Sequence, residues 1–126
     1  VVLLGERRDL PCVYNGFDFL VSSSLVEAFP NVLGEAMSCG VPCIATAVGD
    51  SAWIVGDTGV SVPPDDPAVL GEAMAAAASW PVVERKRRGS AARARVVENF
   101  AIAAVTEEFL RAYEDVRRGR RDERCT

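Results

Sequence analysis

Two glutamates, Glu27 and Glu35, stand with seven residues between them in the run E-A-F-P-N-V-L-G-E. The second lies inside a stretch of helical spacing and the first lies just ahead of it. The opening turn of a helix has backbone N–H groups with no helical partner, and its dipole favours negative charge, so it attracts an anion such as a phosphate. The candidate donors run from Phe29 to Val32 through Asn31; Pro30, within that span, has no N–H to give. Glu27, in the preceding loop, would lie near the far end of a bound phosphate-sugar. Glu35, one turn into the helix, could reach hydroxyls on the other side. A carboxylate accepting from two vicinal hydroxyls is a common way to hold a ribose.

Positioning these groups requires a particular frame. Val32, Leu33, Ala36 and Met37 fall on one helical face. Pro30 suits a first helical position, and Asn31 suits an N-cap or a first-turn place. Gly40 and then Pro42 end the helix. Ahead of it, Phe17 to Val21 reads as a strand that leads through Ser22, Ser23 and Ser24 into the Glu27 loop. Behind it, Val41 to Thr46 reads as the next strand. Strand, loop, helix, strand makes one parallel crossover, which places the start of the helix at the carboxyl edge of a sheet.

The rest of the chain extends that frame. Val1 to Leu4 reads as a buried strand, and Gly5-Glu6-Arg7-Arg8-Asp9 as the turn after it. Asp9 is placed to cap a short helix from Leu10 to Asn15. Thr46 to Ser51 reads as a small-residue loop at the ligand-facing edge, with Gly49 suited to a turn or a close backbone approach. Val60 to Val62 reads as a last short strand, stopped by Pro63-Pro64. Three helices follow: Asp66-Pro67 to about Ser79, then from Trp80-Pro81 to about Asn99, then Ile102 to Val116. The class is α/β.

Composition narrows the function. At 126 residues the chain is one domain at most, and 49% hydrophobic residues suffice for a core. No apolar run approaches the ~20 residues of a membrane span. With no histidine, a structural zinc would need all four cysteines, and no CxxC pair is present. Cys39 and Cys43 lie in apolar context and read as reduced, buried thiols, which suits a cytoplasmic protein. Up to Glu84 there are two basic and eleven acidic residues; from Arg85 there are twelve basic and seven acidic. The arginine-rich end, residues 117–126, reads as a solvated, disordered tail, with weak attraction to an anionic membrane surface as the sharper alternative. No aromatic residues interleave with the basic ones, which argues against nucleic acid as a partner. No G-x-G-x-x-G follows a strand, which argues against a dinucleotide oxidoreductase. The chain opens on an apolar run without an initiator Met and reads as the distal part of a longer enzyme's second domain.

The ordered set E-x7-E around F-P-N, followed by E-A-M-x-C-G-x-P, resembles the donor-binding signature of GT-B glycosyltransferases, specifically the large retaining group called family 4 or glycosyl transferases group 1. The resemblance also covers V-L-L-G-E-R-R-D-L-P at the start and A-T-A-V-G-D-S-A-W-I-V-G-D-T-G-V-S-V-P-P-D-D-P-A-V-L after the motif. It implies a Rossmann-like parallel sheet with flanking helices, the C-terminal half-domain of such an enzyme, over residues 1–116. It implies transfer of a sugar from a nucleotide-diphosphate sugar to an acceptor hydroxyl, with retention and no obligatory metal, in polysaccharide, glycolipid or glycoconjugate synthesis. Glu27 would contact the transferred sugar as the catalytic carboxylate. Glu35 would hold the ribose; Phe29, Pro30, Asn31 and Val32 would line the diphosphate; and Gly5, Glu6 and Arg7 would lie beside the nucleobase. It further implies an acceptor domain upstream and a last helix that crosses back to it; the thiols and the basic tail, for their part, point to the cytoplasm, with the membrane's inner face as a peripheral location. Two departures stand out: Ala28 where such proteins usually have Gly, and Trp53 in a segment read as a loop. The alternatives are a non-catalytic nucleotide-binding module of the same fold, and a nucleotide-sugar epimerase, a class that relies on histidine.

Overall fold

In the computed structural model, which describes residues 1–119, three short parallel strands form a sheet in the order β1-β2-β3. β1 (Leu20–Ser22) pairs with β2 (Cys43–Thr46) in the register Leu20 to Cys43, and β2 pairs with β3 (Val60–Val62) in the register Ile44 to Val60. The central strand is buried along all four residues, as expected of a parallel strand covered on both faces. The helices are α1 (Leu10–Asn15), α2 (Asn31–Ser38), α3 (Ser51–Val55), α4 (Pro67–Ala78), α5 (Val82–Asn99) and α6 (Ile102–Arg117).

Helix α2 is the β1-to-β2 crossover. Its Leu33, Ala36 and Met37 are fully buried, and Val32 packs at the margin of the same cluster with Tyr14, Ile54, Val55 and Ala92. Each such large side chain contributes about 1.5–3 kcal/mol by leaving water. Helix α5 seats on the end of α2 through a backbone contact: a Cβ on Gly89 would collide with the carbonyl of Gly40, itself at φ +76°. Arg93 Nη1 then donates to the Ser38 carbonyl at 2.8 Å and satisfies the C-terminus of α2. Helix α4 begins as its sequence predicts, with Asp66 accepting from the Val69 N–H at 3.0 Å and Pro67 as the first helical residue.

Several expectations are corrected. Val1 to Leu4 is not a buried strand: it is irregular and exposed, because the first edge of the described sheet is β1 and no strand among the described residues lies beside it. Asp9 does not cap α1, because its carboxylate is held by Arg7, whose Nε and Nη2 donate at 2.8 and 2.6 Å. Pro30 is the N-cap of α2 in extended conformation, and Asn31 is the first helical residue. The segment read as a loop around Trp53 is helix α3, five residues long, followed by a 3₁₀ turn at Gly56–Thr58. Strands β1 and β2 are shorter than read, and Phe17 to Phe19 lead into β1 without pairing.

The face of α6 carrying Ile102, Phe109, Leu110, Tyr113 and Val116 is exposed. Residues 117–119 finish α6 and its turn, and the remainder of the basic tail lies outside the described residues. Among the described residues no helix is long and apolar enough to cross a membrane.

Candidate active site

The carboxyl edge of the sheet gathers three segments: the loop from Ser23 to Pro30 after β1, the loop from Ala47 to Asp50 after β2, and the start of α2. Thr46, buried at the end of β2, donates its hydroxyl to the Ser24 carbonyl at 2.5 Å. Ser24 in turn donates its own hydroxyl to Glu27 Oε1 at 2.9 Å. The second loop braces the first from the other side: the Asp50 N–H donates to the Ala28 carbonyl at 2.9 Å, and Gly49, at φ +50°, lies against the carbonyls of Glu27 and Ala28. Only a residue without Cβ fits there. Glu27 is thus held by its own loop and by β2, with its Oε2 making no hydrogen bond among the described residues.

The first turn of α2 carries no side-chain cap, and the N–H groups of Phe29, Asn31 and Val32 have no hydrogen-bond partner among the described residues. Leu33 is the first whose N–H is satisfied, by the Pro30 carbonyl at 3.2 Å. A helix start with free donors, at the carboxyl edge of a parallel sheet, suits an oxyanion.

The Phe29 side chain packs in an aromatic cluster. It makes edge-to-face contacts with Trp53 at 6.3 Å and Phe100 at 6.0 Å between centroids, and Trp53 and Phe100 meet at 4.9 Å. This triad explains Trp53, the residue at odds with a loop: it ties α3 and the α5–α6 corner to the loop holding Glu27. Phe29 therefore sets backbone geometry, and its N–H is left without a partner among the described residues.

Glu35 lies one turn further along α2. Its Oε2 accepts from the Tyr14 hydroxyl at 2.8 Å, across 21 residues of sequence. A cavity of about 290 Å³ lies beside it, lined by Phe29, Asn31, Gly34, Glu35, Ser38 and Phe100 among others. A larger groove, about 540 Å³, runs between Trp53 and α6 and is lined by Glu98, Glu107, Glu108 and Arg111; it contains neither Glu27 nor Glu35.

The structure places Glu27 in the loop before α2, Phe29 and Pro30 at its entry, and Asn31, Val32 and Glu35 within it; the cavity of about 290 Å³ is lined by Phe29, Asn31 and Glu35 but not by Glu27. It does not join Gly5, Glu6 and Arg7 to them: these are exposed, Gly5 at φ +66° has open space around it, and Arg7 is engaged by Asp9. Tyr14 is the site residue that sequence reasoning missed. The signal for it was its place three residues after Pro11 on a short helix whose only buried side chain it provides. Burial, and then the Glu35 carboxylate, push its hydroxyl up to about 12.

The family model for glycosyl transferases group 1 matches residues 1–80. The chain is 31% identical over 125 residues to the lipopolysaccharide core biosynthesis mannosyltransferase LpsB of Rhizobium meliloti, covering 94% of this chain and 34% of that protein. It is also 31% identical over 120 residues to the N-acetyl-alpha-D-glucosaminyl L-malate synthase of Bacillus anthracis, covering 94% of this chain and 31% of that one. It thus spans about a third of the length of these curated relatives. Among solved structures, the sucrose-phosphate synthase of Thermosynechococcus elongatus superposes with a TM-score of 0.73 at 31% identity, over 85% of this chain and 27% of that one. HepE of Anabaena, solved in complex with UDP-glucose, gives 0.76 over 89% of this chain and 31% of its own; at 23% identity that likeness concerns the fold. With its α/β frame and the two glutamates around α2, the chain belongs to the glycosyl transferases group 1 family.

Proposed function

We propose that this chain is the donor-binding part of a glycosyltransferase that moves a sugar from a nucleotide-diphosphate sugar to an acceptor hydroxyl. One observation carries the reading: the uncapped first turn of α2 stands at the carboxyl edge of the sheet, with Glu27 in the loop just before it and Glu35 in the turn that follows. The departing diphosphate is the charge that most needs stabilising during transfer. The N–H groups of Phe29, Asn31 and Val32 are the groups suited to it, so the reading assigns that charge to backbone amides rather than to a metal. Glu27, braced by Ser24, faces the transferred sugar; Glu35 takes the ribose hydroxyls. Retention of configuration belongs to the same reading, and so does an acceptor of saccharide or lipid-linked type. The free thiols Cys12, Cys39 and Cys43 support a reducing compartment such as the cytoplasm.

The test is calorimetric titration of the full-length protein with UDP, GDP, ADP and NAD, repeated for Glu35→Gln with the tightest ligand. Binding of one nucleoside diphosphate, weakened at least several-fold by the substitution, supports the reading. Binding that ignores Glu35→Gln points to a generic nucleotide module, and failure of every diphosphate to bind overturns the reading. A transfer assay with Glu27→Gln then separates catalysis from binding: a large loss of turnover with little change in diphosphate affinity is expected.

A further inference from the structure

Glu35 reaches its place through a contact that comes from another helix. Tyr14, on α1, is 6% exposed, and its hydroxyl donates to Glu35 Oε2 at 2.8 Å. The ring is fixed in turn by Phe17, which meets it edge to face at 6.0 Å. Glu35 itself is exposed on the outer side of α2, where a glutamate has three side-chain torsions to order before it can hold a ligand. Its Oε1 makes no hydrogen bond among the described residues, and the residue lines the cavity beside Asn31 and Ser38.

We propose that Tyr14 is a positioning residue for ribose recognition: its hydroxyl locks the Glu35 side chain through Oε2 and leaves Oε1 presented to the vicinal hydroxyls of a nucleoside diphosphate. The proposal rests on the donor-site reading of Glu35. A carboxylate held by a buried donor loses less freedom when ligand binds, and that difference appears as affinity. A phenol suits this role because it stays protonated throughout the neutral range and so remains a donor.

The experiment compares a nucleoside diphosphate, whichever of UDP, GDP and ADP binds most tightly, with its 2′,3′-dideoxy counterpart. Both are titrated into the full-length protein as wild type, Tyr14→Phe and Glu35→Gln. Tyr14→Phe keeps the ring and its packing, and melting curves establish that the variant is folded. The expected result is a fall of roughly three- to tenfold in affinity for the ribose form with Tyr14→Phe, and no change for the dideoxy form. If Tyr14→Phe weakens both ligands equally, or neither, while Glu35→Gln erases the preference for ribose, the positioning role of Tyr14 is overturned and Glu35 keeps its part. If Glu35→Gln also leaves the preference untouched, or the wild type has none, the ribose reading of Glu35 fails and the proposal falls with it.

Discussion

Gly49 and Ala28 are in contact through backbone alone: a Cβ on Gly49 would lie 2.5 Å from the Ala28 carbonyl oxygen, and nearer still to that of Glu27. The neighbouring Asp50 N–H bonds to the same Ala28 carbonyl. The loop after β2 is therefore the shelf on which the Glu27 loop rests. Gly49→Ala carries two costs, one for φ +50° and one for the collision. It is expected to destabilise the fold by at least ~2 kcal/mol and to displace Glu27. Urea denaturation reads the first effect and a transfer assay the second. An unchanged midpoint together with full turnover would show that the two loops are not coupled.

Two glycines inside helices separate packing from propensity. By helix propensity alone, alanine is better than glycine at either place by ~1 kcal/mol. A methyl group on Gly71, in α4, would meet nothing within 4 Å, so Gly71→Ala should stabilise by about 0.5–1 kcal/mol. Gly89, in α5, faces the Gly40 carbonyl, so Gly89→Ala should destabilise by about 1–3 kcal/mol by prising α5 from α2. Shifts of the same sign in chemical denaturation would refute the close approach of α5 to α2.

The crossover from β1 through α2 to β2 was legible because its signals are local. The spacing of Val32, Leu33, Ala36 and Met37 needs only the sequence, and so does the stop at Gly40 and Pro42. Asp66-Pro67 was legible for the same reason. Val1 to Leu4 failed because apolar content says nothing about whether a neighbouring strand is there to pair with. Helix α3 was missed because five residues are too few for a period to show, and because what holds Trp53 in place, Phe29 and Phe100, comes from far along the chain. Glu27 and Glu35 stand out as candidates through the whole ordered run around F-P-N and E-A-M-x-C-G-x-P, spacing alone being weak, whereas Tyr14 meets Glu35 through a hydrogen bond that spans 21 residues.

Alkaline pH should expose the buried thiol of Cys43. Burial raises it from 9.0 to about 12, so the folded chain keeps a proton that the unfolded chain gives up. The associated stability is fully present below about pH 9 and is lost as pH rises toward 12. Tyr14, raised from 10.0 to about 12, adds a loss of the same sign starting one unit higher. Denaturation midpoints at about pH 8 and about pH 11 should therefore differ, and Cys43→Ala, though less stable at neutral pH, should show a flatter profile. A profile as steep as that of the wild type would mean that Cys43 is open to solvent. Alkylation gives a parallel check: Cys12, exposed on α1, should react long before Cys43.

Arg95 closes the end of α3. Its Nε donates to the Ile54 carbonyl at 3.0 Å and its Nη2 to the Trp53 carbonyl at 2.5 Å, so one planar side chain meets two carbonyls that the short helix cannot satisfy. Gly56, at φ +55°, has no Cβ where the guanidinium passes. Arg95→Ala strips the donors from one partly buried carbonyl, that of Ile54, and one exposed carbonyl, that of Trp53, and is expected to cost about 1–2 kcal/mol. Arg95→Lys, which can serve one carbonyl but not both, should fall between that variant and the wild type. Because α3 carries Trp53 against Phe29, and Phe29 sets the loop of Glu27, the loss should also redden Trp53 fluorescence and weaken nucleoside diphosphate binding. Loss of stability without any change at Trp53 or in binding would confine Arg95 to holding α3, and would cut the link from α5 to the donor site.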